Sequence, residues 1–95
     1  MSKTIAVVPT PDLSQAFSAE LLGQAIKARR TQSQLTLDNA AALCGVAKQT
    51  LLAIEHGKQT IKLDSILKIC QGLGLTLSVS PWSNSDVQEV FDDWQ

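Results

Sequence analysis

Lys48 and Gln49 are adjacent residues whose side chains suit the reading of DNA bases. A lysine ammonium group donates to O6 and N7 of guanine, and a glutamine amide pairs with N6 and N7 of adenine. A helix that carries both also points Leu52 and Ala53 outward within the same arc of about 140°. Leu52 can contact a thymine methyl group or remain a merely exposed leucine. The spacing therefore predicts a helix face that reads bases in a major groove.

The elements that must position this face lie between Thr36 and Lys58. Gly45 marks a turn between two short helices, because glycine accepts the left-handed backbone that ends a helix. Val46, Leu51 and Ile54 follow at helical spacing and are expected to bury the inner side of the second helix. This layout is typical of a helix-turn-helix DNA reader.

Contacts to DNA phosphates are expected around the second helix. Lys58 and Lys62 follow that helix and can bind phosphate, although loop lysines are often only solvated. Thr36 and Thr50 complete the expected set of phosphate contacts. The charges are polarised along the chain: residues 1–62 carry seven basic and four acidic side chains (+3), and residues 63–95 carry one and five (−4). The overall charge of −1 is therefore misleading for a DNA binder.

The motif resembles the Cro and phage-repressor type of helix-turn-helix, the XRE family. The matching residues are Leu35-Thr36, Ala41, Gly45-Val46, Thr50-Leu51 and Ile54 to Lys58. The resemblance extends over roughly Leu22 to Leu75 and implies a small, mostly α, lambda-repressor-like bundle. It also pairs Arg30 of the first helix with Glu55 of the reading helix as a structural ion pair, where two solvated surface charges are the alternative.

Two residues depart from the XRE pattern. Leu37 stands where the family usually has a phosphate-contacting glutamine, and Ala47 stands where it often has a serine or threonine cap. These departures leave open a second class of function, an interaction module that has kept the fold and lost DNA binding.

Length and composition restrict the remaining possibilities. The chain has 95 residues, 44% of them apolar and 4% aromatic, which suits one small domain with an aliphatic core. No apolar stretch approaches a membrane span and no signal peptide is recognisable, so a cytoplasmic protein is expected. Cys44 and Cys70 lack metal spacing and are expected to be reduced core residues. We expect no enzyme, metal site or cofactor, because no catalytic constellation accompanies the single histidine.

The chain divides into four segments. Residues 1–17 contain the β-branched run Ile5 to Val8 followed by two prolines, which indicates an arm or edge strand. Residues 18–74 form the helix-turn-helix domain, with a first helix from Ser18 to about Gln32. The last helix of this domain, from about Leu63 to Leu73, is expected to turn one apolar face inward. That face consists of Leu63, Ile66, Leu67, Cys70 and Leu73.

Residues 75–80 alternate apolar and polar side chains and end at Pro81. The alternation predicts a half-buried strand that presents Leu75, Leu77 and Val79. A strand needs a partner for its backbone groups, and the same strand of a second subunit is the preferred one, with Ile5 to Val8 as the alternative. We therefore expect a homodimer that binds a palindromic operator.

Residues 81–95 form an acidic tail in which Val87, Val90, Phe91 and Trp94 recur at helical spacing. A small XRE domain followed by a strand and an acidic tail with a near-terminal tryptophan resembles HipB-type antitoxins. The resemblance implies a dimer that represses its own operon and a tail that binds a HipA-type serine/threonine kinase toxin through Phe91 and Trp94. Packing of the tail on its own domain, in a stand-alone XRE-family regulator, is the alternative.

Overall fold

The computed structural model describes residues 4–81, which contain four helices. These are α1 (Ala19–Gln32), α2 (Leu37–Cys44), α3 (Lys48–Glu55) and α4 (Leu63–Leu73). The predicted small, mostly helical domain with a helix-turn-helix is confirmed. Within residues 4–81 no helix has the length and apolar character needed to cross a membrane.

The helices begin and end where local chemistry favours it. The Ser18 hydroxyl caps α1 by accepting a hydrogen bond from the Leu21 N–H at 3.0 Å. At the turn between α2 and α3, Gly45 has φ 75°, the left-handed conformation that glycine adopts without steric cost. The Gly45 and Val46 N–H groups both donate to the Ala41 carbonyl, at 2.9 and 3.0 Å. These bonds close α2 and direct the chain into α3.

All four helices contribute to one aliphatic core. Its largest completely buried side chains are Ile26 of α1, Leu51 of α3 and Ile69 of α4. The other members are Leu22, Ala40, Ala41, Cys44, Ile54, Cys70 and Leu73. Val46, expected inside, is half-buried and packs against this core. Because Leu51 and Ile54 point inward, the opposite side of α3 faces solvent.

The predicted inner face of α4 was partly wrong. Leu63 and Leu67 are 65% and 44% exposed, whereas Ile69, which the predicted face omitted, is completely buried. The reason is the direction of the core-facing side: Ile66, Ile69, Cys70 and Leu73 lie within an arc of about 100° around α4, and Leu63 and Leu67 lie outside this arc on one side.

Neither predicted strand is present as a strand in residues 4–81. The N-terminal arm (residues 4–17 of the described chain) packs on α1 through Val8 and Thr31 instead of pairing with another strand. Residues 75–81 form no helix or strand, because a strand requires a hydrogen-bonded neighbour and no other part of residues 4–81 provides one.

Cys44 and Cys70 are free and buried. Burial raises the pKa of the Cys44 thiol, and burial together with the nearby Cys44 raises the pKa of Cys70. Both groups therefore remain protonated at neutral pH and pack as small apolar side chains. Across residues 4–81, no three His, Cys, Asp or Glu side chains lie close enough together to hold a metal ion.

Candidate nucleic-acid interface

Helix α3 presents the predicted base-reading residues at its outer surface. Lys48 and Gln49 are exposed in its first turn, and Leu52 and Ala53 are half-buried one turn later. Leu51 and Ile54 hold the opposite side of the helix in the core. The apolar pattern thus determines which α3 side chains remain available to a ligand.

Lys48 forms an exposed ion pair with Asp38 of α2. Its Nζ lies 3.3 Å from Asp38 Oδ1, and both side chains are more than half exposed. An exposed pair of this kind contributes about 0–1 kcal/mol, so exchanging the carboxylate for another acceptor costs little. The pair holds the ammonium group near the start of α2 without preventing its reorientation.

A polar groove of about 520 Å³ runs along one side of α3. We call it the basic groove, because its lining includes Lys58 and Lys62. It brings together five of the residues predicted to contact DNA, which are Gln49, Thr50, Ala53, Lys58 and Lys62. Neither lysine has a salt-bridge partner within residues 4–81. The groove therefore combines two available ammonium groups with an amide and a hydroxyl, a donor-rich surface suited to an anionic ligand.

Thr36 lies away from the basic groove, at the start of α2. Its Oγ1 accepts a hydrogen bond from the Asn39 N–H at 3.1 Å and so caps the helix, which leaves its hydroxyl hydrogen available to donate. Leu37 packs partly against the core. At α3, Ala47 provides no side-chain cap.

Arg30 and Glu55 form a buried, two-pronged ion pair that joins α1 to the end of α3. Arg30 Nε lies 2.6 Å from Glu55 Oε2, and Arg30 Nη2 lies 3.0 Å from Oε1. The side chains are only 8% and 2% exposed. Arg30 Nη1 also donates to the Leu35 carbonyl at 2.9 Å. The pair thereby ties together α1, the loop before α2 and the end of α3.

Two residues that stabilise the fold were not predicted from the sequence. Arg29 donates from Nε to the Leu73 carbonyl at 2.7 Å, capping the end of α4. Thr31 is buried and accepts a hydrogen bond from the Val8 N–H at 2.9 Å. Arg29 and Arg30 lie in the last turn of α1, where basic residues often interact with helix C-termini. The sequence does not indicate which helix Arg29 caps.

The predicted dimerisation residues have different surroundings. Leu75 packs partly against the core, whereas Leu77 and Val79 are 39% and 98% exposed. Phe91 and Trp94, the predicted partner-binding residues of the tail, lie outside the described residues.

A helix-turn-helix family model matches residues 26–79, more than half of the chain. The structure is similar to a HipB–O4 20mer complex and to a chain of a HipA–HipB–O2–O3 complex. Each has 25% sequence identity and a TM-score of 0.64, and each match covers 70% of this chain and 94% of the other. No curated protein matches the chain significantly in sequence.

A more distant neighbour is the hypothetical transcription factor NHTF from Neisseria, with 20% identity and a TM-score of 0.61. That match covers 76% of this chain and 82% of the other, and at this identity it shows the fold alone. The family match covers the second half of α1 and all of α2, α3 and α4. The chain belongs to the XRE-type family of DNA-binding helix-turn-helix proteins, and it is similar to HipB.

Proposed function

We propose that this chain is a sequence-specific transcriptional repressor that binds a palindromic operator as a homodimer and acts as the antitoxin of a HipA-type kinase. The observation that carries the proposal is the basic groove, which gathers five predicted DNA contacts on the solvent side of α3. Such a surface fits a major groove flanked by phosphates.

In the proposed complex, α3 enters the major groove with its first turn leading. Lys48 leaves Asp38 to donate to guanine, and Gln49 pairs with adenine. Leu52 and Ala53 contact bases one turn later, where an apolar side chain suits a thymine methyl group. Thr36, Thr50, Lys58 and Lys62 hold the sugar–phosphate backbone and set the register of the helix.

The proposed dimer forms through residues 75–80. Leu77 and Val79 are exposed apolar side chains next to the domain, and alternating residues of this type favour strand pairing. A ribbon of two such strands would supply each segment with the backbone partner that it lacks within the described part of one chain. It would also hold two α3 helices at the spacing of half-sites, roughly 34–36 Å for one turn of DNA.

The acidic tail is the proposed contact to the kinase. The similarity to a chain of a HipA–HipB–O2–O3 complex supports a kinase partner of the HipA kind. Four carboxylates between residues 86 and 93 would repel DNA, so a protein surface is the more suitable ligand for this segment. Phe91 and Trp94 supply the large apolar side chains that anchor protein interfaces.

Selection of duplexes from a random-sequence pool tests the proposal. We expect enrichment of a palindrome with two half-sites about 10 base pairs apart, and a dimer by light scattering. Binding without any enriched sequence, or no binding at all, would favour the interaction module that has lost DNA reading. If a palindrome is enriched but the chain does not bind a HipA-type kinase encoded by a neighbouring gene, the result would favour a stand-alone regulator.

A further inference from the structure

The N-terminal arm doubles back along α1. The Val8 N–H donates to Thr31 Oγ1 at 2.9 Å, and Gln32 Nε2 donates to the Val8 carbonyl at 2.9 Å and to Thr10 Oγ1 at 3.1 Å. Thr31 and Gln32 lie at the end of α1, although the arm joins its beginning. Residues 4–8 are consequently held at the end of α1 that leads into α2.

A second groove, of about 340 Å³, opens beside the arm. We call it the arm groove. It is lined by Thr4, Ile5 and Ala6 of the arm, by Lys27 of α1, and by Thr36, Asp38 and Lys48 at the starts of α2 and α3. Two of the predicted DNA contacts, Thr36 and Lys48, thus share a groove with residues that have no assigned role.

Lys27 provides the available positive charge of this groove. It is exposed and has no salt-bridge partner within residues 4–81. Of the other basic residues of the groove, Arg30 is bound to Glu55, and Lys48, which pairs with Asp38 in the free chain, is the proposed base reader. Leu37, which begins α2, packs partly into the core and has no polar side-chain atom to offer a ligand. An anion entering the arm groove therefore meets the Lys27 ammonium group.

We propose that Lys27, with arm residues 4–6 beside it, forms a second contact to the DNA backbone. The inference rests on the proposed DNA binding. Lys48 of α3 lines the arm groove, whereas Gln49 and Ala53 line the basic groove, so α3 lies between the two. A helix in a major groove has a phosphate backbone on each side, about 12 Å apart. Lys58 and Lys62 hold one backbone, and Lys27 joins Thr36 in holding the other.

A salt titration measures this contact without knowledge of the operator, because phosphate contacts are independent of sequence. The probe is a fluorescent random-sequence duplex of about 30 base pairs, followed by anisotropy. For Lys27→Gln we expect the slope of log K against log salt to become shallower by about 0.9 per bound protomer, with roughly eightfold weaker binding per protomer near 0.1 M salt. Lys68→Gln is the matched control, since Lys68 is an exposed lysine of α4 outside both grooves. It should keep the wild-type slope.

A second experiment acetylates the exposed lysines of the wild-type chain with and without the duplex. It therefore does not depend on whether a variant folds. We expect the duplex to protect Lys27 and Lys58 and to leave Lys68 reactive.

The outcomes separate this inference from the proposed function. Equal slopes for the wild type and Lys27→Gln, or equal acetylation of Lys27 with and without the duplex, would overturn the second contact while DNA binding stands. A wild type that does not bind the duplex at low salt would overturn both.

Discussion

Among single residues, Arg30 and Glu55 show how burial changes what an ion pair contributes to stability. Their pair is almost fully removed from solvent, whereas the pairs of Lys48 with Asp38 and of Lys68 with Asp64 are exposed. Removing one partner of a buried pair strands the other charge, and the loss is typically about 3–5 kcal/mol. An exposed pair contributes about 0.2–1 kcal/mol.

Glu55→Ala should therefore lower the free energy of unfolding by about 3–5 kcal/mol, measured by urea denaturation. The matched control Asp64→Ala removes a carboxylate from an exposed pair and should cost well under about 1 kcal/mol. Similar losses for the two variants would show that the buried pair adds nothing beyond an ordinary surface contact.

The proposed base-reading and phosphate-contacting residues should differ in what their loss does to specificity. Lys48→Ala or Gln49→Ala should keep the fold and cost roughly 1–3 kcal/mol of discrimination at one base pair. Lys58→Ala should weaken binding to all sequences alike. Affinities across a panel of single-base operator variants measure both effects, and identical profiles for the two kinds of variant would contradict the assignment of base readers.

At the scale of elements, the crossing of α1 and α3 depends on Gly23. A Cβ atom at this position would overlap the Ile54 carbonyl oxygen and come within 3.0 Å of the Glu55 carbonyl oxygen. These oxygens belong to the backbone of α3, so they cannot rotate away as a side chain would. The close approach of α1 and α3 therefore also determines the distance that the Arg30 side chain spans to contact Glu55.

Gly23→Ala tests this crossing because two effects of opposite sign compete. Alanine gains about 1 kcal/mol of helix propensity over glycine, whereas overpacking typically costs about 1–3 kcal/mol. We expect a net loss of stability in urea denaturation, since the obstructing atoms are backbone. Gln24→Ala, the exposed neighbour in the same helix, should stay within about 0.5 kcal/mol of the wild type. A stabilised Gly23→Ala variant would mean that α1 and α3 separate at little cost.

At the scale of the whole molecule, polar and apolar surfaces occupy different places. The basic groove and the arm groove flank α3, while Phe17, Leu63, Leu67, Leu77 and Val79 remain exposed elsewhere. Single exposed leucines need no explanation, but several large apolar side chains on one small domain suit an interface. Apart from Lys58, which borders the cleft of Phe17, Leu63 and Leu77, the proposed DNA contacts therefore lie outside these exposed apolar side chains.

The proposed functions of domain and tail should therefore be separable. Deletion of residues 81–95 should leave operator affinity near that of the full chain, because both grooves belong to residues 4–65. The same deletion should abolish association with the HipA-type kinase, measured by calorimetry or co-purification. Undiminished association would refute the proposed role of Phe91 and Trp94, and lost operator binding would show that the tail supports the dimer.

Local patterns were enough to predict the helix-turn-helix. Gly45 has few alternatives at a left-handed turn, Ser18 is a strong cap, and the spacing of Leu51 and Ile54 indicates which side of α3 is inward. Leu63 and Leu67 were wrongly predicted to lie in the core, because the apolar residues of α4 cover a wider arc than the side that its neighbours contact.

The amino-acid sequence was sufficient to predict the helices, the inward side of α3 and the family, since these depend on residues within a few turns of one another. Three features became visible only in the folded chain: the arm returns to Thr31, Lys27 shares a groove with Lys48, and Arg29 caps α4. The residues in each of these pairs lie 21 to 44 positions apart in the sequence. No local periodicity encodes such distances, because they follow from how the helices pack.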